Sequence, residues 1–533
     1  MAGSDRTDKT NGTGRIVGRT ESVCPECLCV IPAEKVQREQ GIFLVKTCPQ
    51  HGTYETLIWE GSIESYEAWG ADVQPADQVP AAGPVEKGCP YDCGLCGEHE
   101  RRGCCVLLEV TGRCNLRCPV CFAGAGESGS RDVSMEELGR QMDYLMSHGG
   151  PFNLQISGGE PTVRDDLPEL IRMGREKGFT FFQLNTNGLR LAEEPGYAEA
   201  LKEAGLSCVF LQFDGVDDSV YEVLRGRALW KKKQEAVDAC ERAGLGVILV
   251  PVVTPGVNED QMGKILSYAV SRMPVVRGVH FQPISYFGRC LEAQGSYRLT
   301  IPKILSLIEQ QTDGRMRAAH FTGGNATNPY CTFQANYLKQ DDGNLQPMIH
   351  GTARAYATSE QAREFVARQW TGPEEGGGCC CGAEGEELSA PCCSAEVKEP
   401  AVTCCCGTEG EESSAPCCCS AEAEEPAVTC CCDAEAEEQA EPCCSTEQEG
   451  SSGGCCCGED TAQMQLDTSS LDDFLRKLHN NTFAVSGMLF QDAGSLDLER
   501  LRRCYILETD SRYGMVPFCA YNMTGQKGKT LYR

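Results

Sequence analysis

Between residues 104 and 283 the chain repeats one pattern six times: a short apolar run, a polar or glycine-bearing signature directly behind it, then an amphipathic stretch. The apolar runs are 106–110, 152–156, 180–184, 208–213, 246–252 and 279–282, about 25 to 45 residues apart, with segments such as SMEELGRQMDYLMSHG between them. Such alternation predicts strands of a parallel sheet joined through helices. Six units predict an α/β chain built on a partial (β/α)6 TIM-like barrel. In barrels of this type the chemistry sits at the carboxyl ends of the strands. The segments at those ends are TGRC, SGGEP, NTNG, FDG, TPG and PIS.

The first of these ends carries three cysteines, Cys114, Cys118 and Cys121, within TGRCNLRCPVCFAG. Three thiolates on one short loop hold three corners of a four-iron cluster. The fourth iron is then without a protein ligand and can chelate a small molecule through amine and carboxylate. Taken alone, the triplet also fits a zinc knuckle or a plain ferredoxin-type cluster. The second end, SGGEP at 157–161, offers Gly158 and Gly159 for close main-chain approach and Glu160 as an acceptor for an ammonium.

In register, the triplet and the GGE turn resemble the radical S-adenosylmethionine (SAM) superfamily. The resemblance implies that Cys114, Cys118 and Cys121 hold a 4Fe-4S cluster whose unique iron binds SAM. It further implies that Gly158, Gly159 and Glu160 hold the SAM amino group, and that Asn185 and Asp214 lie where related enzymes contact ribose and adenine. One departure is that the residue before the third cysteine, usually aromatic, is Val120, with Phe122 just after it.

Two further cysteine units precede the barrel. Cys24 and Cys27 in CPEC, with Cys48 and His51 in CPQHG, flank the strand-like GIFLVKT. Four soft or borderline ligands in two turns suit a tetrahedral zinc-ribbon or rubredoxin-like site holding zinc or a mononuclear iron; Cys29 is the alternative to His51. GCPYDCGLCGEH repeats the triplet spacing at Cys89, Cys93 and Cys96. This unit reads as an auxiliary iron-sulfur site, completed by Cys104 or Cys105, or else as another zinc knuckle. The order of ribbon, GCPYDCGLC, LLEVTGRCNLRCPVCFA and a terminal PFCAYN resembles the branch containing the archaeal tetraether lipid synthase and the bacterial (seleno)proteins called TrsS. In that branch additional clusters accompany the SAM cluster, and Cys290, Cys331, Cys504 and Cys519 are the isolated cysteines that could hold one more.

After the barrel, cysteine clusters begin at Cys379, Cys392, Cys404, Cys417, Cys430, Cys443 and Cys455, 12 or 13 residues apart. Residues 372–460 hold 22 acidic residues against one Lys, most of the chain's net charge of -29. With almost no large apolar side chains the segment cannot offset its ordering entropy and is expected to be disordered without metal. Its vicinal thiols suit soft metals, or a sulfur- or selenium-carrying partner; a surface spacer is the plainer reading.

The expected layout is a flexible N-terminus over 1–20, the metal domain over 21–70, a linker with the third cysteine unit over 71–103 and the partial barrel over 104–290. A helical or auxiliary region over 291–371, the acidic repeat over 372–460 and a region returning to the barrel over 461–533 complete it. No basic run or aromatic-basic platform suggests nucleic-acid binding. The longest apolar run, GVILVPVV, is too short for a membrane span. The polar opening MAGSDRTDKTNGTG has no signal-peptide core, which leaves a cytoplasmic protein with reduced thiols as the expectation. The function expected from the resemblance is reductive cleavage of SAM to a 5'-deoxyadenosyl radical. It would be fed by an external electron donor of the ferredoxin or flavodoxin type and would act on an unidentified substrate. The rival is a metal, sulfur or selenium carrier that senses SAM.

Overall fold

The computed structural model describes residues 14–71, 82–126, 130–290, 297–324, 328–348, 358–373 and 469–533. These belong to one compact unit drawn from 1–376 and 469–533; the second unit, 377–468, lies outside the described residues, and with it nearly all of the cysteine repeat. No helix among the described residues is long and apolar enough to cross a membrane.

The N-terminal ribbon is an antiparallel sheet of β1 (Arg15–Val23), β2 (Val30–Arg38), β3 (Gly41–Cys48) and β4 (Gly52–Glu60), in that order. The first strand takes in residues that the sequence assigns to a flexible N-terminus. The larger sheet contains β5 (Cys105–Thr111), β6 (Asn153–Gly158), β7 (Phe182–Thr186), β8 (Cys208–Gln212), β9 (Gly246–Val250) and β10 (Val252–Val253). It continues with β11 (Val276–Pro283), β12 (Thr332–Lys339), β13 (Leu345–Pro347), β14 (Thr482–Met488), β15 (Ile506–Asp510) and β16 (Gly514–Pro517). The order is β13-β12-β14-β11-β9-β8-β7-β6-β5-β15-β16, an open path, with β10 beside β11.

The six expected strands are all present, as β5, β6, β7, β8, β9 and β11, paired parallel in that order. The sequence reading undercounts the parallel core, however. β14 adds in parallel beyond β11 and β15 adds in parallel beyond β5, so the segment after the repeat extends the sheet at both edges. Antiparallel β12 and β16 then cover those two strands. TFAVSGM and ILETD lie beyond the acidic repeat, far in sequence from the six-unit pattern, which does not include them.

The sheet's two faces do different jobs. Val106, Leu108 and Val110 of β5, Leu154 and Ile156 of β6, and Val209 and Leu211 of β8 pack into one core with the flanking helices. The helix Met135–Ser147 is typical: Ser134 caps it by accepting from Glu137 N, and Leu138, Met142 and Leu145 fall on its buried face at helical spacing. Each such side chain contributes about 1.5–3 kcal/mol on burial. On the opposite face Phe210, Ile248 and Val250 pack against Val366, Ala367 and Trp370 of the helix Ser359–Trp370. Arg363 of that helix bonds the carbonyls of Gly149 and Pro151 just ahead of β6, so the helix closes the amino-terminal end of the strands. The other end is left to the signature loops.

Candidate active site

β5 ends at Thr111, and the chain turns into the loop carrying Cys114, Cys118 and Cys121, each half-buried. Three segments distant in sequence hold this loop. First, Gly159 N donates to Thr111 O at 2.7 Å and Glu160 N donates to Arg113 O at 2.8 Å. Gly158 has φ +121° and a Cβ there would lie 2.4 Å from Thr111 O, while a Cβ on Gly159 would lie 2.1 Å from Arg113 O. The close approach expected of these glycines is therefore made to the backbone of the cysteine loop itself. Second, Arg289 pairs its backbone with Cys121 at 2.7 and 3.0 Å, and its side chain donates to Cys118 O at 2.7 Å and Ala125 O at 3.1 Å. Third, Arg225, closing the helix Asp218–Arg225, donates to Val120 O at 3.1 Å.

Behind the loop, two buried carboxylates and two buried cations tie the ends of β6, β7 and β8. Glu160 is 2% exposed. Its Oε1 accepts from Thr162 N (3.1 Å), Thr162 Oγ1 (2.6 Å) and Thr186 Oγ1 (2.6 Å), and its Oε2 from Asn187 N (2.7 Å). Asp214 forms a two-bond pair with Arg225 at 2.7 and 2.8 Å and accepts from Val252 N at 3.1 Å and from Gln212 Nε2. Lys233 Nζ donates to Asn187 O at 2.6 Å and Gln212 Oε1 at 3.1 Å; burial pushes its pKa down to about 7. The sequence reading sets Asp214 against ribose or adenine. In the structure it has no exposed surface, and its carboxylate is linked to the cysteine loop through Arg225. Asn185 is half-buried on β7 and accepts from Gln183 Nε2 at 2.8 Å.

Sulfurs around a single tetrahedral metal lie ~3.8 Å apart, from a metal–sulfur distance of ~2.3 Å. Among the described residues only Cys24, Cys27, Cys48 and His51 bring three or more ligand atoms within 4.8 Å of one another. Burial pushes Cys114 up to about 12, so a free thiol is neutral there and metal charge is what would hold it as thiolate.

The ribbon site is compact. Cys24 Sγ and Cys48 Sγ each lie 3.4 Å from His51 Nδ1, and Cys27 Sγ lies 4.0 Å from Cys48 Sγ. Backbone N–H donation from Gln50 leads in pulling Cys48 down to about 6, favouring thiolate. His51 Nε2 faces Glu26 at 3.9 Å, the carboxylate arrangement that orients a ligating histidine. Cys29 is exposed and outside the group.

Cys89, Cys93 and Cys96 share a loop tightened by Asp92, which accepts from the backbone N–H of Glu86, Lys87 and Gly88. Tyr532 seals it, accepting from Cys93 N at 2.8 Å and donating to Pro90 O at 2.7 Å. Cys104 and Cys105, the expected completion, pack instead with Ala362 and Tyr505. Cys331, Cys504 and Cys519 lie in one neighbourhood: burial leads in pushing the Cys504 and Cys519 thiols up, with Cys331 adding to both and Cys504 to Cys519, and Arg500 donates to Cys331 Sγ at 3.0 Å. Cys290, grouped with them by the sequence reading, stands apart, following Arg289 beside the first loop and interacting with Asp492 and Tyr286.

The sequence reading misses Arg225, Lys233 and Arg289. The available signal was a cation on an apolar helix face, Arg225 beside Val220, Tyr221 and Leu224, and Lys233 beside Ala236 and Val237.

The radical SAM superfamily model matches residues 108–269, and that of the HMPTM N-terminal zinc ribbon domain matches residues 16–60. The chain is 42% identical over 316 residues to a 7,8-dihydro-6-hydroxymethylpterin dimethyltransferase of Methanocaldococcus jannaschii, covering 57% of this chain and 60% of that protein. It is 30% identical over 211 residues to a GTP 3',8-cyclase of Paenarthrobacter nicotinovorans, covering 39% of this chain and 58% of that one. The chain thus spans about three fifths of the length of these curated relatives. Among solved structures, Streptococcus suis SuiB bound to precursor peptide SuiA aligns with TM-score 0.34 and 16% identity, over 40% of this chain and 46% of that one. The superfamily expected from the triplet is supported by both family model and relatives, and those relatives are enzymes.

Proposed function

We propose that this chain is a radical SAM enzyme in which Cys114, Cys118 and Cys121 hold the 4Fe-4S cluster. The observation that carries the reading is a three-thiol loop at the carboxyl end of β5, clamped by the SGGE turn, Arg225 and Arg289. With SAM bound, such a cluster supplies a 5'-deoxyadenosyl radical by one-electron reductive cleavage. The protein's own part is to fix the loop, to exclude water behind it with the buried Glu160, Asp214, Arg225 and Lys233, and to leave the barrel mouth for substrate. Gly158 and Gly159 bring the turn onto the loop, and Glu160 Oε2, which accepts one bond, has capacity for the SAM ammonium. Asn185 lies on the adjoining strand end for the nucleoside.

The ribbon ligands Cys24, Cys27, Cys48 and His51 suit zinc or a mononuclear iron. Cys89, Cys93 and Cys96, and separately Cys331, Cys504 and Cys519, are proposed as auxiliary iron-sulfur ligands. A ferredoxin- or flavodoxin-type donor delivers the electron. For substrate, the motif order favours the tetraether synthase and TrsS branch, and likeness to the pterin dimethyltransferase favours a reduced pterin.

Anaerobic reconstitution with iron and sulfide, reduction, and assay of 5'-deoxyadenosine with and without 7,8-dihydro-6-hydroxymethylpterin test this reading. Wild type is expected to form 5'-deoxyadenosine. The Cys114→Ala, Cys118→Ala, Cys121→Ala variant is expected to form none while keeping iron elsewhere. Undiminished product from that variant refutes the assignment, and no product from wild type favours the SAM-sensing carrier.

A further inference from the structure

We propose that Arg225 is a positioning residue that raises the reduction potential of the cluster held by Cys114, Cys118 and Cys121, with Asp214 as the carboxylate that limits the rise. This rests on the reading of the triplet as a SAM-binding cluster.

Arg225 is 7% exposed and Asp214 is fully buried. Such a pair is costly to desolvate unless its hydrogen bonds are filled, and here the filling is directed. The guanidinium gives Nε and Nη2 to Asp214, and Nη1 to Val120 O, the carbonyl between the second and third cysteines. Val120 stands between Cys118 and Cys121, so this bond sets the guanidinium against the backbone of the cysteine loop. Nothing about sheet packing requires a guanidinium there: the remaining buried residues of its helix, Val220, Tyr221 and Leu224, supply the apolar contact.

The redox step takes one electron and no proton: the oxidised cluster, 2+ in its core, accepts one electron from a reduced low-potential donor and becomes 1+. The thiolate-ligated group gains one negative charge. A buried cation bonded to the loop backbone between the second and third cysteines stabilises that added charge through space. Asp214 opposes it from the far side of the guanidinium, since Arg225 bonds the cysteine loop directly and Asp214 reaches it only through Arg225.

The test is an EPR-monitored redox titration of the reconstituted full chain at pH 8, following the reduced-cluster component that shifts when SAM is added. Arg225→Gln is expected to lower the equilibrium constant for reduction about tenfold, a midpoint about 59 mV more negative for one electron. Asp214→Asn, which leaves the cation uncompensated, is expected to move the midpoint the other way, and Arg225→Lys to fall between wild type and Arg225→Gln. A purely structural role moves both charge variants in the same direction or neither, and either result overturns the proposal. If Arg225→Gln fails to hold iron, opposite shifts of Arg225→Lys and Asp214→Asn support it, and equal midpoints overturn it. A wild-type protein with no SAM-responsive signal refutes the underlying cluster reading; a responsive but immobile midpoint refutes only the role of Arg225.

Discussion

Gly159→Ala sets a methyl carbon 2.1 Å from the carbonyl oxygen of Arg113, against backbone that belongs to the cysteine loop rather than to a movable side chain. An ordinary contact there needs about 3.2 Å, so the turn and the loop must part by about 1 Å, beyond what close-packed backbone absorbs without rearrangement. Parting removes two bonds, Gly159 N to Thr111 O at 2.7 Å and Glu160 N to Arg113 O at 2.8 Å. At about 0.5–1.5 kcal/mol each, the loss of folding stability is expected to be about 1–3 kcal/mol. The functional loss is expected to be larger, because displacing a reacting assembly by about 1 Å costs on the order of 100-fold in rate. The assays are urea unfolding of the reconstituted protein and the initial rate of 5'-deoxyadenosine formation. Gly139→Ala in the helix Met135–Ser147 is the control: its new Cβ would meet nothing nearer than Met173 Sδ at 3.6 Å, and it should stabilise by about 0.5–1 kcal/mol. Wild-type stability and rate in Gly159→Ala would refute the view that the SGGE turn clamps the loop.

Glu508, buried on β15 beside Glu109, is pushed from its ordinary 4.5 up to about 8, chiefly by burial. A raised carboxyl pKa stabilises the fold below about 4.5, and that contribution is lost as pH rises through about 8. Urea midpoints should therefore fall more steeply from pH 5 to pH 9 in wild type than in Glu508→Gln, and parallel profiles would refute this. His51→Ala should remove one equivalent of zinc or iron per chain and loosen the ribbon; unchanged metal content by elemental analysis would show that His51 is not a ligand.

The six central strands were legible because each is a short apolar run ending in a polar signature. The ribbon ligands were legible because CPEC and CPQHG put two ligands in each of two turns. β14 and β15 were not, since a strand that joins a sheet edge from a distant segment carries no local periodic partner. The clamps were illegible for a related reason. Arg225 meets Val120 across 105 residues, Arg289 meets Cys118 across 171, and Lys233 meets Asn187 across 46. Residue type hinted at a role for Asp214, yet only three dimensions show that its partner is a guanidinium. Cys290 and Cys331 looked alike as isolated cysteines; both are half-buried, and what separates them is that Cys331 neighbours Cys504, Cys519 and Arg500.

The way β14 and β15 flank the six central strands sets the order of events at the ribosome. The strands β5 to β11 are synthesised first, and their two outermost members, β5 and β11, carry open backbone edges until residues 482–510 emerge. Unpaired parallel edges invite pairing with other chains, and pairings this distant in sequence form slowly. A nascent chain stalled before Thr482 therefore presents two adhesive edges at once. Emergence of residues 482–510, rather than completion of the six-unit core, marks the moment at which these two edges become safe from neighbouring chains.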